Sequence, residues 1–264
     1  CEKCELETFL PQVIGSADFY SSASHNGEKA TGNAYYESEK WDFEVALSDV
    51  PSNGSVIEFG SGPGHFLRAA ARKAQHVVGV EYNPEAVADI LASGLTAYAP
   101  GVIPEELKQS FDTALAFHVL EHVPDPMAFL KQMRMYLRAT GGTIVISVPN
   151  QDGPISYIRP CAMNMPPHHA TRWRRKTFEV AADMIGMELE KVLYEPLLME
   201  NHSYYSVYWP RTAIPGVGAV SAIARTVVST FLRLVLGGMY RLGVKVLPLL
   251  RGQSIYVVMR AKES

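Results

Sequence analysis

Between residues 55 and 148 the chain alternates short apolar runs with stretches of helical spacing, and this alternation constrains its fold more than any other feature. The runs at Ser55–Phe59, His76–Val80, Thr96–Tyr98, Thr113–Phe117 and 143–148 are too short for helices and rich in β-branched and aromatic residues. Between them, Phe66, Leu67, Ala70 and Ala71 fall on one helical side, and Met127, Leu130, Met133 and Leu137 on another. Asn83-Pro84 and Asp125-Pro126 are helix starts, and Gly141-Gly142 is a helix stop. Strands separated by helices of roughly ten residues cannot close as hairpins; they form βαβ units around a parallel sheet. The fold class is therefore α/β, doubly wound, with helices on both faces.

Outside that core the pattern is looser. Residues 1–34 are polar, with a Ser/Gly/Asn-rich stretch at 21–27, and are expected to be an irregular lead-in; residues 35–47 carry a helical signal. Residues 154–167 hold four prolines and read as a loop over the active-site edge. A helix at 176–185, a strand at 188–196, an apolar helical stretch at 216–250 and a last strand at 254–259 complete the chain. The expected division is a lead-in and helix over 1–47, then one domain over 48–264 with a helical insertion at about 211–250.

The most informative turn is Glu58-Phe59-Gly60-Ser61-Gly62-Pro63-Gly64, at the carboxyl end of the first strand. Glycines there let a ligand approach backbone that a Cβ would block. A tight turn alone would explain one such glycine, and dinucleotide-binding folds also use a glycine turn. Their fingerprint, however, places its third glycine where this chain has His65. Glu58, two residues before the first glycine, would sit badly beside a pyrophosphate and suits a cationic amino-acid ligand. The second strand ends in Glu81-Tyr82, where a carboxylate can accept both hydroxyls of an unphosphorylated ribose.

Residues 55–150 resemble the class I S-adenosylmethionine-dependent methyltransferases, especially the broad subgroup that includes ubiquinone-biosynthesis O-methyltransferases. The glycine turn carries the first part of the resemblance. Phe117-His118-Val119-Leu120-Glu121-His122-Val123-Pro124-Asp125-Pro126 carries the second, and Gly141-Gly142 leading into Ile146-Ser147-Val148-Pro149-Asn150 the third. The resemblance implies a Rossmann-like, seven-stranded, mostly parallel sheet whose last strand is antiparallel, and S-adenosylmethionine as cofactor. It implies that Glu58 serves the methionine amine, that Phe59, Gly60, Ser61, Gly62 and Gly64 line the methionine and ribose, and that Glu81 takes the ribose hydroxyls. Tyr82 would flank the adenine, with Ala99 and Phe117 completing the pocket. Ala99 departs from the acid or polar residue that many relatives carry there.

Methyl transfer needs the acceptor aligned with the methyl group and, for a hydroxyl, a proton acceptor. Candidate bases are His118, His122, His168 and His169. Helix capping and loop packing is the plainer reading of Glu121 and His122, and no metal is assigned. A sharper alternative places a divalent ion at His118, Glu121, His122 and one of His168 or His169. His-x-x-Glu-His is similar to the Glu-x-x-Glu-His of metal-dependent relatives, with His118 in place of Glu. Tyr204, Tyr205, Tyr208 and Trp209 are either an acceptor wall or core.

Net charge is −3, which gives no electrostatic case for nucleic acid. Three cysteines, Cys1, Cys4 and Cys161, exclude a disulfide scaffold and fit a reducing, cytoplasmic compartment. Cys1-x-x-Cys4 is half of a zinc ribbon in spacing, and no ordered zinc is expected from it. The first residues are charged and polar, unlike a leader, and a start at Cys suggests residues upstream. In the apolar C-terminal region the longest uncharged stretch, 212–224, is too short to span a bilayer. The expected partner is a small-molecule acceptor (a sugar, a phenol or a lipid-linked intermediate). The 216–250 segment is expected to cover the sheet, form a dimer surface or touch a membrane. A nicotinamide-dependent oxidoreductase and a non-catalytic cofactor-binding protein are the alternatives.

Overall fold

The computed structural model describes residues 1–11, 13, 15, 40–158 and 160–262. The 21–27 stretch and the first part of the expected 35–47 helix lie outside the described residues. In chain order the elements are β1 (Glu7–Thr8), α1 (Trp41–Asp49), β2 (Ser55–Phe59), α2 (His65–Ala70), β3 (His76–Val80), α3 (Pro84–Ala92), β4 (Thr96–Tyr98) and β5 (Thr113–Phe117). They continue as α4 (Pro126–Tyr136), β6 (Thr143–Pro149), β7 (Thr171–Arg172), α5 (Arg175–Met184), β8 (Met187–Leu198), α6 (Trp209–Ala213), α7 (Ala219–Arg241) and β9 (Val246–Ala261).

Seven strands form one sheet in the order β4-β3-β2-β5-β6-β9-β8. β2 to β6 run parallel, and β9 lies antiparallel to both β6 and β8. This is the expected doubly wound sheet with its last strand reversed. Every residue of β2 and β5 is buried, as central strands covered on both faces require. On one face α1, α2 and α3 pack through Ala46, Phe66, Leu67 and Ile90. On the other, α4 and α5 pack through Leu130, Met133, Phe178 and Ala181.

The helix starts follow local chemistry. The Asn83 side chain accepts the Glu85 amide at 2.9 Å, the Asp125 side chain accepts the Ala128 amide at 2.9 Å, and a proline occupies the first turn of each helix.

The two ends differ from expectation. Part of the lead-in is ordered: Glu7 and Thr8 pair with Arg172 and Thr171, and the Glu7 carboxylate meets Arg172 at 3.1 Å and Arg174 at 3.0 Å. The expected insertion also ends early. Residues 246–250 are not helical but open β9, with Val246 and Leu247 paired to Leu198 and Leu197 across an irregular register.

α7 corrects the estimate made from uncharged residues alone. Its 23 residues are long and apolar enough to cross a membrane by length and composition. At 1.5 Å per residue it spans about 34 Å. Arg225 is drawn off the apolar side, because its guanidinium turns back to the carbonyls of Ile214 and Gly216 in the loop before α7. Of α7 only Leu236 is buried.

Candidate active site

From β2 the chain winds through β3 and β4 on one side of the sheet, then returns through β5 to β6 on the other. Doubly wound sheets bind ligands at the carboxyl ends of the strands beside such a reversal. Two loops meet there: the glycine turn after β2 and residues 118–122 after β5. Their contact depends on Gly60, whose φ is +75°. A Cβ on Gly60 would lie 2.3 Å from Val119 Cγ2. Gly62 and Gly64 also have positive φ, +50° and +80°. The amide of Gly60 donates to the Val80 carbonyl at 2.8 Å, and the amide of Gly62 to Glu81 Oε2 at 2.8 Å. Glu81 Oε1 accepts the Asn83 amide at 2.9 Å. Glu81 therefore clips the glycine turn to the end of β3 while remaining at the rim of the site, where Tyr82 and Ala99 are exposed.

Behind the turn, Glu58 is 2% exposed, and its Oε2 has no hydrogen-bond partner among the described residues. Burial and the neighbouring Glu81 push its carboxyl well above the usual range. Ser61 Oγ is likewise buried without a partner among the described residues. It sits where a Cβ on Gly79 would come within 2.8 Å, so Gly79 makes room for it. Phe59 and Phe117, at the ends of β2 and β5, pack their rings inward. The Phe59 ring packs on Phe129 and Tyr136, and the Phe117 ring between Phe43 and Phe66. Their rings belong to the core.

His118, with φ +54°, stands between two buried carboxylates. Its Nε2 is 3.1 Å from Asp42 Oδ2, and its Nδ1 is 3.6 Å from Glu121 Oε1. Burial lowers the His118 pKa, but the two carboxylates outweigh it and bring the imidazole to about 9. His118 is thus a cation at neutral pH. That makes it unsuited to the role of base expected from its position; it ties α1 to the loop after β5. Glu121 is the converse. Burial works to raise it, but His118 and His122 prevail and hold it at about 2.

The remaining three histidines converge. Their possible ligand atoms all lie within 4.8 Å of one another. His168 and His169 stack with centroids 4.7 Å apart, and His122 meets them edge-on at 5.1 and 4.9 Å. His122 Nδ1 lies 2.6 Å from the His168 carbonyl, and His169 Nδ1 lies 3.1 Å from Asn164 Oδ1. The Glu121 carbonyl accepts the amides of Ala170 and Thr171, which fixes the histidine loop to the loop after β5. Burial brings His169 down to about 3, so it stays neutral. Of the ligand set His118, Glu121, His122 and one of His168 or His169, the structure removes His118 and brings both loop histidines together.

Tyr204, Tyr205 and Tyr208 form one irregular helical turn. The Tyr204 and Tyr205 hydroxyls donate to Gln253 Oε1 and the Arg251 carbonyl, tying the turn to β9. The sequence reading missed Asp42, Asn164 and Gln151, all buried polar residues. Asp42 lies 76 residues from His118 and has no local motif. A polar residue between Trp41 and Phe43 was the available signal.

The profile of the family described as a methyltransferase domain matches residues 38–192. An uncharacterized methyltransferase of Mycobacterium sp. (strain JLS) is 33% identical over 152 residues, covering 56% of this chain and 57% of that protein. The ubiquinone biosynthesis O-methyltransferase of Hahella chejuensis is 29% identical over 165 residues, covering 55% of this chain and 68% of its own. The chain thus spans little more than half the length of the first of these relatives. A solved S-adenosylmethionine dependent methyltransferase from Mesorhizobium loti superposes with a TM-score of 0.52 at 17% identity, covering 85% of this chain and all of that one. At that identity the likeness establishes the fold.

Proposed function

The chain belongs to the methyltransferase-domain family, and from that premise we propose that it moves a methyl group from S-adenosylmethionine to an oxygen of an amphiphilic, lipid-linked acceptor. The observation that carries the cofactor is Glu58. A buried carboxyl oxygen without a hydrogen-bond partner is costly, and the simplest remedy is a cationic ligand. The amine of S-adenosylmethionine is such a ligand. Ser61 Oγ adds a second buried polar atom in the same wall, and the glycine turn leaves the backbone uncovered beside it. Glu81, at the rim, offers its carboxylate to the ribose hydroxyls. When bound, the cofactor supplies a sulfonium methyl group open to in-line displacement.

The chain's own residues do the positioning. Asp42 and His118 anchor the loop after β5 against α1, and Val119 seats that loop on Gly60. His122, whose side chain is 16% exposed, stands at the acceptor side with His168 and His169 behind it. With His118 charged and His169 kept neutral by burial, acceptance of the hydroxyl proton falls to His122 or His168. Oxygen as acceptor atom is supported by the relative named as an O-methyltransferase. The nicotinamide alternative is not carried forward from a methyltransferase family.

The lipid-linked acceptor rests on α7. Val220, Ile223, Val227, Phe231 and Leu234 recur at helical spacing and are 62–82% exposed, so the outer face of this helix is its apolar face. Beside it opens a cleft of 390 Å³ lined by His202, Ser206, Arg233 and Arg241, a lining that suits an anionic headgroup. α7 stays with the domain at its middle, where Ser229 bonds Ser206, and the chain after it returns as β9. The helix accordingly lies on a bilayer rather than crossing it.

The test is transfer of labelled methyl from S-adenosylmethionine into two acceptor pools, solvent-extracted membrane lipid and water-soluble metabolites. Label in the lipid pool is expected. Label confined to the aqueous pool contradicts the lipid-linked acceptor. No label in either pool, with the cofactor bound, favours a binding protein without catalysis.

A further inference from the structure

We propose that Glu121, His122, His168 and His169 form a site for one divalent transition-metal ion, with zinc the ion that best suits these donors. Three features of the structure carry this.

The first is a preset tautomer. A metal-binding histidine normally donates its second ring N–H to a carbonyl or carboxylate, which orients the ring and leaves the other nitrogen as the donor to the ion. His122 Nδ1 faces the His168 carbonyl at 2.6 Å, and His169 Nδ1 faces Asn164 Oδ1 at 3.1 Å. Asn164 is itself held by Gln151, its Nδ2 donating to Gln151 Oε1 at 3.1 Å, so its oxygen stays turned toward the ring. Both contacts place the N–H on Nδ1 and the lone pair on Nε2.

The second is an unsatisfied anion aimed at the cluster. Glu121 is 2% exposed, and neither carboxylate oxygen has a hydrogen-bond partner among the described residues. His118 Nδ1 stands at 3.6 Å and His122 Nε2 at 3.8 Å, both outside hydrogen-bond reach. Its charge is offset at a distance by His118 and His122, yet no described residue donates to either oxygen, so both keep lone pairs for an ion.

The third is spacing. Two bonds of about 2.1 Å from nitrogen or oxygen to zinc span at most ~4.2 Å. The 3.8 Å between His122 Nε2 and Glu121 Oε1 falls within that span. The imidazole donors of His122, His168 and His169 lie within 4.8 Å of one another, so they would close by at most ~0.6 Å to bind one ion. Three imidazoles and one carboxylate are a donor set that favours zinc and its neighbours over magnesium or calcium.

The site stands on these contacts whether or not the acceptor assignment holds. Given that assignment, which rests on the reading above, a bound ion would replace the histidines as the group that favours deprotonation, since ligated imidazoles cannot take a proton. The acceptor hydroxyl would then have to enter as a fifth ligand. The experiment uses the untagged full chain, purified without chelators and dialysed against zinc chloride, with bound metal and S-adenosylhomocysteine binding measured on the same samples. One zinc per chain is expected, with a rise in Tm on the order of 5 °C at saturating metal. His169→Gln and Glu121→Gln should each weaken zinc binding by at least tenfold while still binding S-adenosylhomocysteine, which shows that they fold. His118→Gln should keep the ion, because His118 is committed to Asp42. Wild type that binds S-adenosylhomocysteine but retains no zinc overturns the proposal. So does retention of the ion by both the His169 and Glu121 variants. Loss of S-adenosylhomocysteine binding in wild type instead counts against the methyl-transfer reading and leaves the metal result to be judged by its own stoichiometry.

Discussion

Replacing Gly60 by alanine should destabilise the protein through two separable effects. A non-glycine residue held at φ +75° costs about 1–2 kcal/mol in backbone energy. The new Cβ would also lie 2.3 Å from Val119 Cγ2, more than 1 Å inside ordinary contact. Forcing a methyl group into a packed contact of this kind costs roughly 1–3 kcal/mol. The expected loss is therefore about 2–5 kcal/mol. Gly62→Ala is the matched control: its φ is +50° and nothing lies within 4 Å of the added Cβ, so only the backbone part applies. Val119→Ala in the Gly60→Ala background removes the clashing methyl and should restore most of the steric share as a coupling energy. Urea unfolding of these three variants, of Val119→Ala alone and of wild type measures all of this. The reasoning fails if Gly60→Ala costs no more than Gly62→Ala, or if Val119→Ala shows no coupling to it.

Further outcomes concern the buried titratable groups and α7. Because Glu58 titrates above its ordinary value when folded, its charge opposes folding as pH rises; Glu58→Gln should stabilise the ligand-free protein at neutral pH. The same variant should weaken S-adenosylhomocysteine binding at least tenfold, about 1.4 kcal/mol, by calorimetry. His118 at about 9 contributes stability that is full below about 6.5 and lost as pH rises toward 9. Asp42→Asn should therefore flatten the alkaline limb of a stability–pH profile. The acid limb has the opposite sign: His169 at about 3 and Glu121 at about 2 lose their contributions as pH falls from about 6.5 and 4.5 respectively. Finally, Phe231→Asp, at a 62% exposed position, should abolish flotation with anionic liposomes and leave Tm nearly unchanged. Unaltered flotation would remove α7 as the contact.

The parallel part of the sheet was legible because each of its strands and helices carries its own periodicity and caps. Asn83-Pro84 and Asp125-Pro126 announce helices from four residues, and the structure uses them as such. The glycine turn was legible for a similar reason, since close backbone approach leaves a compositional trace. What could not be read is what depends on distant partners. Nothing near Asp42 signals His118, and nothing near Glu7 signals Arg172 and Arg174. Phe59 and Phe117 were placed by their strand ends, yet side chains alternate across a strand, and the packing on each face decided where their rings went. The first residues of β9 were hidden because Val246 to Leu250 continue the apolar character of α7 without a change of composition. The arginines of α7 obscured its apolar face, since a count of uncharged residues ignores which way Arg225 turns.

The most direct test of the account is calorimetric titration of S-adenosylhomocysteine into wild type and Glu81→Ala. Glu81 is chosen because its carboxylate both clips the glycine turn through Gly62 and stands at the rim where ribose would lie. The account predicts micromolar binding to wild type, roughly −8 kcal/mol, and a loss of at least tenfold in the variant. A well-folded wild type that does not bind, or a variant that binds as tightly as wild type, would contradict it.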